Sequence, residues 1–330
     1  MLFARNPHKI GTEMVSIEIL LRSKNIKGFV TERKGGLSPN ALNENLVDEL
    51  SQKNSISKYR IRLTVKDDNG KQVALNAQAD LKDITKTGTI AIYVKDLGPQ
   101  ISWRTVYVIE YLGPLLIHPL IYFVQRIYGK GSYEHSETQW IAFWMAVLHF
   151  LKREYETVYV HKFSNATMPA FNIFKNSFHY WILSGFNLAF FIYRPSSDPY
   201  TSDWKKYFFR VYELPSGIKY ILALLWAFAE LSNLKTHLTL SSLRNESNPR
   251  NYAIPYGYGF DLVSCPNYFF ESLAWFFYAW LVGNWSAWLF LIIATGQMWV
   301  WAVKRHKRYL KTFGDDYKKL KRAIYVPYLA

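Results

Sequence analysis

The chain has 330 residues, a formal charge of +15 and a single cysteine, which is room for two ordinary domains or for one small domain beside a membrane bundle. One cysteine excludes an intramolecular disulfide. The basic charge arrives without any RNA- or DNA-binding signature, so nucleic acid is not an expected partner.

In chain order, residues 1–97 are polar and mixed in charge. Glu13 to Leu21 alternate like a half-buried strand, and Pro39 to Lys53 read as an amphipathic helix with Leu42, Leu46 and Leu50 on one face. Tyr59 to Val65 alternate again, Asp68-Asn69-Gly70 marks a turn, and Thr89 to Val94 give a last strand. This α+β order is similar to the ubiquitin-like β-grasp fold. No terminal Gly-Gly follows it, so a docking or structural role is expected rather than conjugation. Lys95 to Gln100 form a polar junction containing Gly98 and Pro99.

From residue 98 onward the chain changes solvent. Most of its 12 tryptophans, 24 tyrosines and 22 phenylalanines lie between 101 and 303, in apolar runs of near-membrane length. Six spans are expected: Val106–Val124, Trp140–Leu151, Ser177–Tyr193, Ile218–Leu234, Tyr268–Val282 and Trp285–Val303. They predict an all-α multi-pass bundle over 98–330. Six spans put both termini on one face, and the net +7 of residues 304–330 favours the cytosol. The loop 194–215, with Arg194, Lys205, Lys206 and Arg210, then falls on the opposite side against the charge rule. The sequons at Asn165 and Asn245 stay cytosolic and unmodified in this topology.

Ionisable side chains in apolar runs are costly and therefore candidates for function. Glu110 is one, with a glutamate satisfied by a basic neighbour as the alternative. Lys152 and Arg153 end the second span and suit phosphates or a thioester oxygen; a positive helix-end cap is the alternative. The eight histidines include no two within four residues, so no one-turn histidine pair is available and no metal is expected. Gly257-Tyr-Gly259 lacks the third glycine of a dinucleotide fingerprint. The stretch Leu262 to Glu271 combines Cys265, Pro266, Asn267, Tyr268 and Glu271 at the mouth of an apolar run. There Tyr268 is either a proton donor or an interfacial aromatic, Pro266 is expected to start the fifth span, and Glu271 to orient Asn267.

Several long motifs then coincide. His149-Phe-Leu-Lys-Arg-Glu-Tyr-Glu-Thr-Val-Tyr-Val-His-Lys-Phe-Ser-Asn-Ala-Thr-Met-Pro169, Asp96 to Val106 continuing to Glu110-Tyr-Leu-Gly-Pro, Val263-Ser-Cys-Pro-Asn-Tyr268 and His306 to Phe313 resemble the very-long-chain trans-2-enoyl-CoA reductases, relatives of the steroid 5α-reductases. The likeness spans nearly the whole chain. It implies NADPH as cofactor, a trans-2-enoyl-CoA as substrate, and a multi-pass enzyme of the endoplasmic reticulum membrane. It also implies the last step of the fatty-acid elongation cycle, work beside the other elongation enzymes, and a supply to sphingolipid synthesis. On the same likeness Tyr268 is the proton donor, Lys152 and Arg153 are needed for activity, and Glu110 matches the family's intramembrane acid. Asn233, His237, Arg244, Asn267, His306 and Tyr309 are candidate NADPH contacts.

Two departures stand out: Lys304-Arg305-His306-Lys307-Arg308 replaces a Gly-Lys-His run, and Tyr252 to Phe260 are unusually aromatic and glycine-rich. A steroid or polyprenoid C=C reductase and a non-catalytic scaffold of the elongation enzymes are the rival readings.

Overall fold

The computed structural model describes residues 16–22, 29–31, 42–67, 69–75, 89–129, 133–163, 165–195, 207–244 and 252–329. Two compact units result. One runs up to Ile101 and takes in Ala166–Phe171; the other comprises Ser102–Asn165 and everything from Asn172.

The first unit is a small sheet with one helix. Strands β1 (Ser16–Leu21), β2 (Ile61–Lys66), β3 (Gln72–Ala74) and β4 (Thr89–Asp96) lie in the order β1-β4-β2-β3, and helix α1 spans Leu42–Asn54. β1 runs parallel to β4 in the register Leu21↔Val94, while β2 is antiparallel to both β4 and β3. Parallel neighbours cannot be joined by a tight turn and need a crossover connection, and α1 lies in the chain between them. Its Leu46 and Leu50 pack on Ile61, Leu63, Val65, Ile92 and Val94 of the sheet. The Leu42 side chain, residues 13–15 and 39–41, and Asp68 of the expected turn lie outside the described residues.

The turn between β2 and β3 is closed by Gly70, whose N–H donates to Asp67 O at 2.8 Å in a left-handed conformation (φ +74°) that suits glycine. Tyr59 and Arg60, expected in a strand, form a 3₁₀ turn over Lys58–Arg60 because Arg60 N–H bonds back to Ser57 O. That turn aims the Arg60 guanidinium at Asp96, with Nη2 2.6 Å from Oδ2 and Nε 3.1 Å from Oδ1. The fork holds the Asp96 carboxyl below its ordinary range. Its stabilisation is therefore complete above the usual carboxylate range and fades as pH falls through the lowered value. Strand β5 (Gln100–Ser102) pairs with β6 (Thr167–Pro169) in a separate ribbon.

The second unit is helical. It contains α2 (Trp103–Phe123), α3 (Glu137–Tyr155) with a π-helical turn over Glu156–Val160, α4 (Asn172–Ser177), a π-helical stretch Phe178–Asn187 and α5 (Leu188–Ile192). It continues with α6 (Ser216–Ser242), α7 (Pro266–Val282), α8 (Trp285–Phe313) and the short α9 (Asp315–Lys318). A capping box fixes the start of α3: Ser136 Oγ accepts from Gln139 N–H, and Gln139 Oε1 accepts from Ser136 N–H. Pro266 sits in the first turn of α7, where its missing donor costs nothing.

Among the described residues three helices, α2, α6 and α8, with 21, 27 and 29 residues, are long and apolar enough to cross a membrane. Outward-facing Leu116, Leu120, Leu224, Leu231 and Ile292 give them an apolar exterior of the kind lipid covers. The chain is a membrane protein on this count. Six spans were expected. Trp140–Leu151 belongs to a 19-residue helix that also carries Glu137, Lys152, Arg153 and Glu154; Ser177–Tyr193 is mostly π-helical; and Tyr268–Val282 lies in a 17-residue helix. α8 runs ten residues beyond the expected Val303, so the basic run continues the helix rather than opening a tail.

Close packing of α2 against the π-helical stretch depends on glycine. Pro114 has no N–H for the carbonyl of Glu110, and beside this turn the Trp181 indole donates to Ile109 O at 2.8 Å. A Cβ on Gly113 would run into that indole, whereas one on Gly296 of α8 meets nothing within 4 Å. Gly113→Ala is expected to lose about 1–3 kcal/mol, the usual cost of overpacking a filled contact. Gly296→Ala in a helix interior should be neutral or mildly stabilising. Thermal unfolding of the two purified variants in detergent measures the contrast.

Candidate active site

α3 and α6 run side by side in the same direction. Their polar contacts repeat at a constant offset of 81 residues, from His149 to Glu230, from Lys152 to Asn233 and from Val160 to Ser241. The stripe on α6 is Glu230, Asn233, His237 and Ser241, three or four residues apart and so on one helix face. The π turn after α3 re-aims Glu156 and Thr157 inward, and both are fully buried. Such turns widen the helix by one residue and recur at working sites.

The result is a dense network. Lys152 Nζ donates to Glu230 Oε2 (2.7 Å), Asn233 Oδ1 (2.6 Å) and Glu230 O (3.2 Å). His149 lies between two acids, with Nδ1 2.7 Å from Glu230 and Nε2 3.4 Å from Glu271. Arg153 reaches Glu156 Oε2 at 2.5 Å and donates through Nη2 to the Tyr111 hydroxyl at 2.8 Å. Its guanidinium also lies 5.0 Å from the Tyr111 ring centroid. Glu156 Oε2 is 3.1 Å from His237 Nδ1. Asn233 Nδ2 donates to Asn267 O at 2.8 Å, which ties α6 to the first turn of α7.

Glu110 is buried on α2, near Asn176 and Arg153, and its Oε1 has no hydrogen-bond partner. Glu271 faces His149 of α3 rather than Asn267, with its carboxylate 3.4 Å from Nε2. Asn267 is buried, and its Oδ1 is left without a partner.

The histidine spacing hid one grouping. Glu156, His161 and His237 bring ligand atoms within 4.8 Å of one another, from the π turn, the residue after it and α6. The Arg153 guanidinium stands among them, 3.3 Å from His237 Nδ1 as well as against Glu156. A cation is therefore already seated where a metal would go.

A second group surrounds Tyr268. Its ring faces the Arg305 guanidinium of α8, 5.8 Å from centroid to carbon, and the Trp301 ring at 6.1 Å. His306 Nδ1 lies 2.6 Å from Ser264 Oγ, which is also 2.6 Å from the Tyr317 hydroxyl. Tyr309 is buried and stacks on Tyr317 at 5.0 Å and near Tyr252 at 5.2 Å. Arg244 is half-buried beyond the end of α6, where its carbonyl accepts from Lys162. Cys265 is fully buried and packs in the core.

After α8 the chain turns at Gly314 and returns onto the loop before Tyr268. Ser264 N–H donates to Ala323 O at 2.9 Å, and Ala323 N–H donates to Leu262 O at 3.0 Å. The Tyr325 hydroxyl donates to Tyr268 O at 3.1 Å and meets Ser272 Oγ at 2.5 Å. Arg322, almost wholly buried, donates to Pro255 O at 2.7 Å.

Lys152, Arg153, Asn233 and His237 thus share one network, Tyr268, His306 and Tyr309 gather in the other, and Asn233–Asn267 joins them. His149, Glu156, Glu230, Arg305, Ser264, Tyr317 and Tyr325 were not among the expected site residues. Glu230 had a signal of the same kind as Glu110, an acid within an apolar run.

The chain matches the family model described as 3-oxo-5-alpha-steroid 4-dehydrogenase over residues 166–330. It is 44 % identical over 285 residues to a putative enoyl reductase of Schizosaccharomyces pombe, covering 86 % of this chain and 90 % of that one. It is 38 % identical over 289 residues to the very-long-chain enoyl-CoA reductase of Dictyostelium discoideum, at the same two coverages. A probable very-long-chain enoyl-CoA reductase of Caenorhabditis elegans is 37 % identical over 248 residues, 72 % of this chain and 75 % of its own. The chain is an oxidoreductase acting on a C=C bond. Within that class it belongs to the very-long-chain enoyl-CoA reductase family.

Truncating one member of a buried ion pair strands the other, which costs about 3–5 kcal/mol. Glu156→Ala leaves Arg153 and His237 facing each other in the core and should lose stability on that scale. Adding Arg153→Met to Glu156→Ala is expected to recover a substantial part. Thermal unfolding of both variants in detergent checks the recovery, and its absence would mean that Glu156 acts through packing instead of charge.

Proposed function

We propose that this protein reduces trans-2,3-enoyl-CoA to the saturated acyl-CoA with NADPH, the last step of the very-long-chain fatty-acid elongation cycle, in the endoplasmic reticulum membrane. The observation that carries the reading is Tyr268 facing the Arg305 guanidinium at the start of α7, joined through Asn267–Asn233 to the Lys152–Arg153 network, in a chain of this family. The donor set suits a nicotinamide dinucleotide. Asn267 Oδ1 is a buried acceptor awaiting an N–H. Among the described residues Arg244 has no carboxylate partner, which leaves it for a phosphate.

Asn267 and Arg244 would hold NADPH directly. Asn233, His237, His306 and Tyr309 would frame its site, since their polar groups or ring faces are already engaged. When bound, the reduced nicotinamide supplies a hydride to the β carbon. The thioester oxygen takes up the displaced π pair as an enolate, which suits a nearby cation from Lys152 or Arg153. Tyr268 then gives its hydroxyl proton to the α carbon. Glu110, with its unbonded oxygen, is the remaining acid of the site.

Residues 1–97 form a ubiquitin-like β-grasp domain in this reading, supported by the parallel β1–β4 pair and the helix in the chain between them. Residues 98–330 form the catalytic domain, with up to six spans, both termini cytosolic, and acyl chains, membrane lipid and other elongation enzymes as its partners.

NADPH oxidation by the purified full-length protein with a trans-2-enoyl-CoA tests the proposal, with NADH and a steroid enone as comparisons. Turnover is expected only with NADPH and the thioester. Tyr268→Phe should lose about 10²-fold or more in turnover, as for removal of a general acid, while still binding NADPH. Preference for the steroid would mean a sister reductase, and no turnover at all would favour a scaffold.

A further inference from the structure

α8 carries its basic run into the site rather than past it. Arg305 lies one helical turn before Tyr309, and its guanidinium faces the Tyr268 ring, 5.8 Å from the centroid. The charged and titratable groups around the Tyr268 hydroxyl come from four places. They are Arg305 on α8, Arg153 on α3, Tyr107 on α2 and Cys265 in the loop before α7. Of the two cations, Arg153 is already matched by Glu156 and bonded to Tyr111. Arg305 is surrounded by Tyr268, Cys265, Tyr309 and Tyr252, with Arg244 nearby.

We propose that Arg305 is the positioning residue of the proton-transfer step, holding the Tyr268 hydroxyl in place and stabilising the tyrosinate left when the proton has gone. The proposal rests on Tyr268 as the acid. In that step the enolate pair forms a C–H bond at the α carbon, the Tyr268 O–H bond breaks, and its electron pair stays on oxygen. The charge created there is negative and partly buried, and a guanidinium a few ångströms away is the group that offsets it. Lys152 and Arg153 are then left to the thioester oxygen and the carboxylates that hold them. Solvent returns the proton to the tyrosinate before the next turnover.

The test uses the full-length enzyme with NADPH and a trans-2-enoyl-CoA. Arg305→Met should lower kcat about ten- to a hundredfold with little change in either KM. A tyrosine deprived of its cation ionises at higher pH, so the alkaline limb of the kcat profile should move upward by about one unit or more. Arg305→Lys should keep the limb near its native place. Because Arg305 acts through Tyr268, Arg305→Met should cost nothing further in a Tyr268→Phe background.

An unmoved limb, or equal losses with and without the tyrosine hydroxyl, would overturn the proposal. A raised KM for NADPH alone would do the same by making Arg305 a phosphate clamp. Should Arg305→Met fail to fold, Arg305→Gln carries the same expectations with a polar side chain. Full turnover in Tyr268→Phe removes the tyrosine itself from the chemistry, whereas an inactive Tyr268→Phe beside an unaffected Arg305→Met removes only the arginine.

Discussion

Two acids buried inside an apolar helical body, Glu156 and Glu230, set the terms for everything around them. A carboxylate there is tolerable only when cations and donors surround it. Glu230 is met by Lys152 and His149, and Glu156 by Arg153, with His237 beside it. Glu230 takes both partners from α3, while Glu156 takes His237 from α6 and Arg153 from its own helix. The pairs therefore fix the register of α3 against α6 and stop one helix sliding along the other. Apolar side chains alone would pack nearly as well a turn away; charges cannot.

The same network frees some groups and occupies others, and that division shapes the chemistry. Asn233 has both ends engaged, one by Lys152 and one by the Asn267 carbonyl, so it serves as a tie between helices. Asn267, held by its backbone, presents a side-chain oxygen with no partner. Lys152 and Arg153, neighbours in sequence, both reach Glu156, but only Lys152 also holds Glu230 and only Arg153 also reaches the Tyr111 hydroxyl. A residue's place in the network says more about its task than its type does.

Much of this was legible from the residues. The change from a small sheet region to a helical body, the start of α7 at Pro266 and the burial of Cys265 rest on patterns local in sequence, whereas the roles expected of Tyr268 and Lys152 come from the resemblance. The polar stripe Glu230-Asn233-His237-Ser241 was also present, but an apolar background made that segment read as a plain span. The metal-like grouping of Glu156, His161 and His237 could not be read, because its members meet across helices at a separation of about eighty residues. Arg305 was hidden for another reason. A run of five basic residues reads as a topology signal, and only the continuation of α8 to Phe313 shows which of the five turns inward. Span lengths were harder still, since helix ends are set by caps and π turns rather than by hydropathy.

The return of the chain from Gly314 onto Leu262–Ser264 has a consequence in time. The loop that presents Tyr268 is finished by Ala323 and Tyr325, which lie 59 and 57 residues further along the chain than the groups they bond. At synthesis rates of about 5–20 residues per second, that loop waits about 3–12 s for its other half. During that interval α6 and α7 can already be seated while the motif between them is still open. The closure of this loop is thus among the last contacts the nascent chain makes.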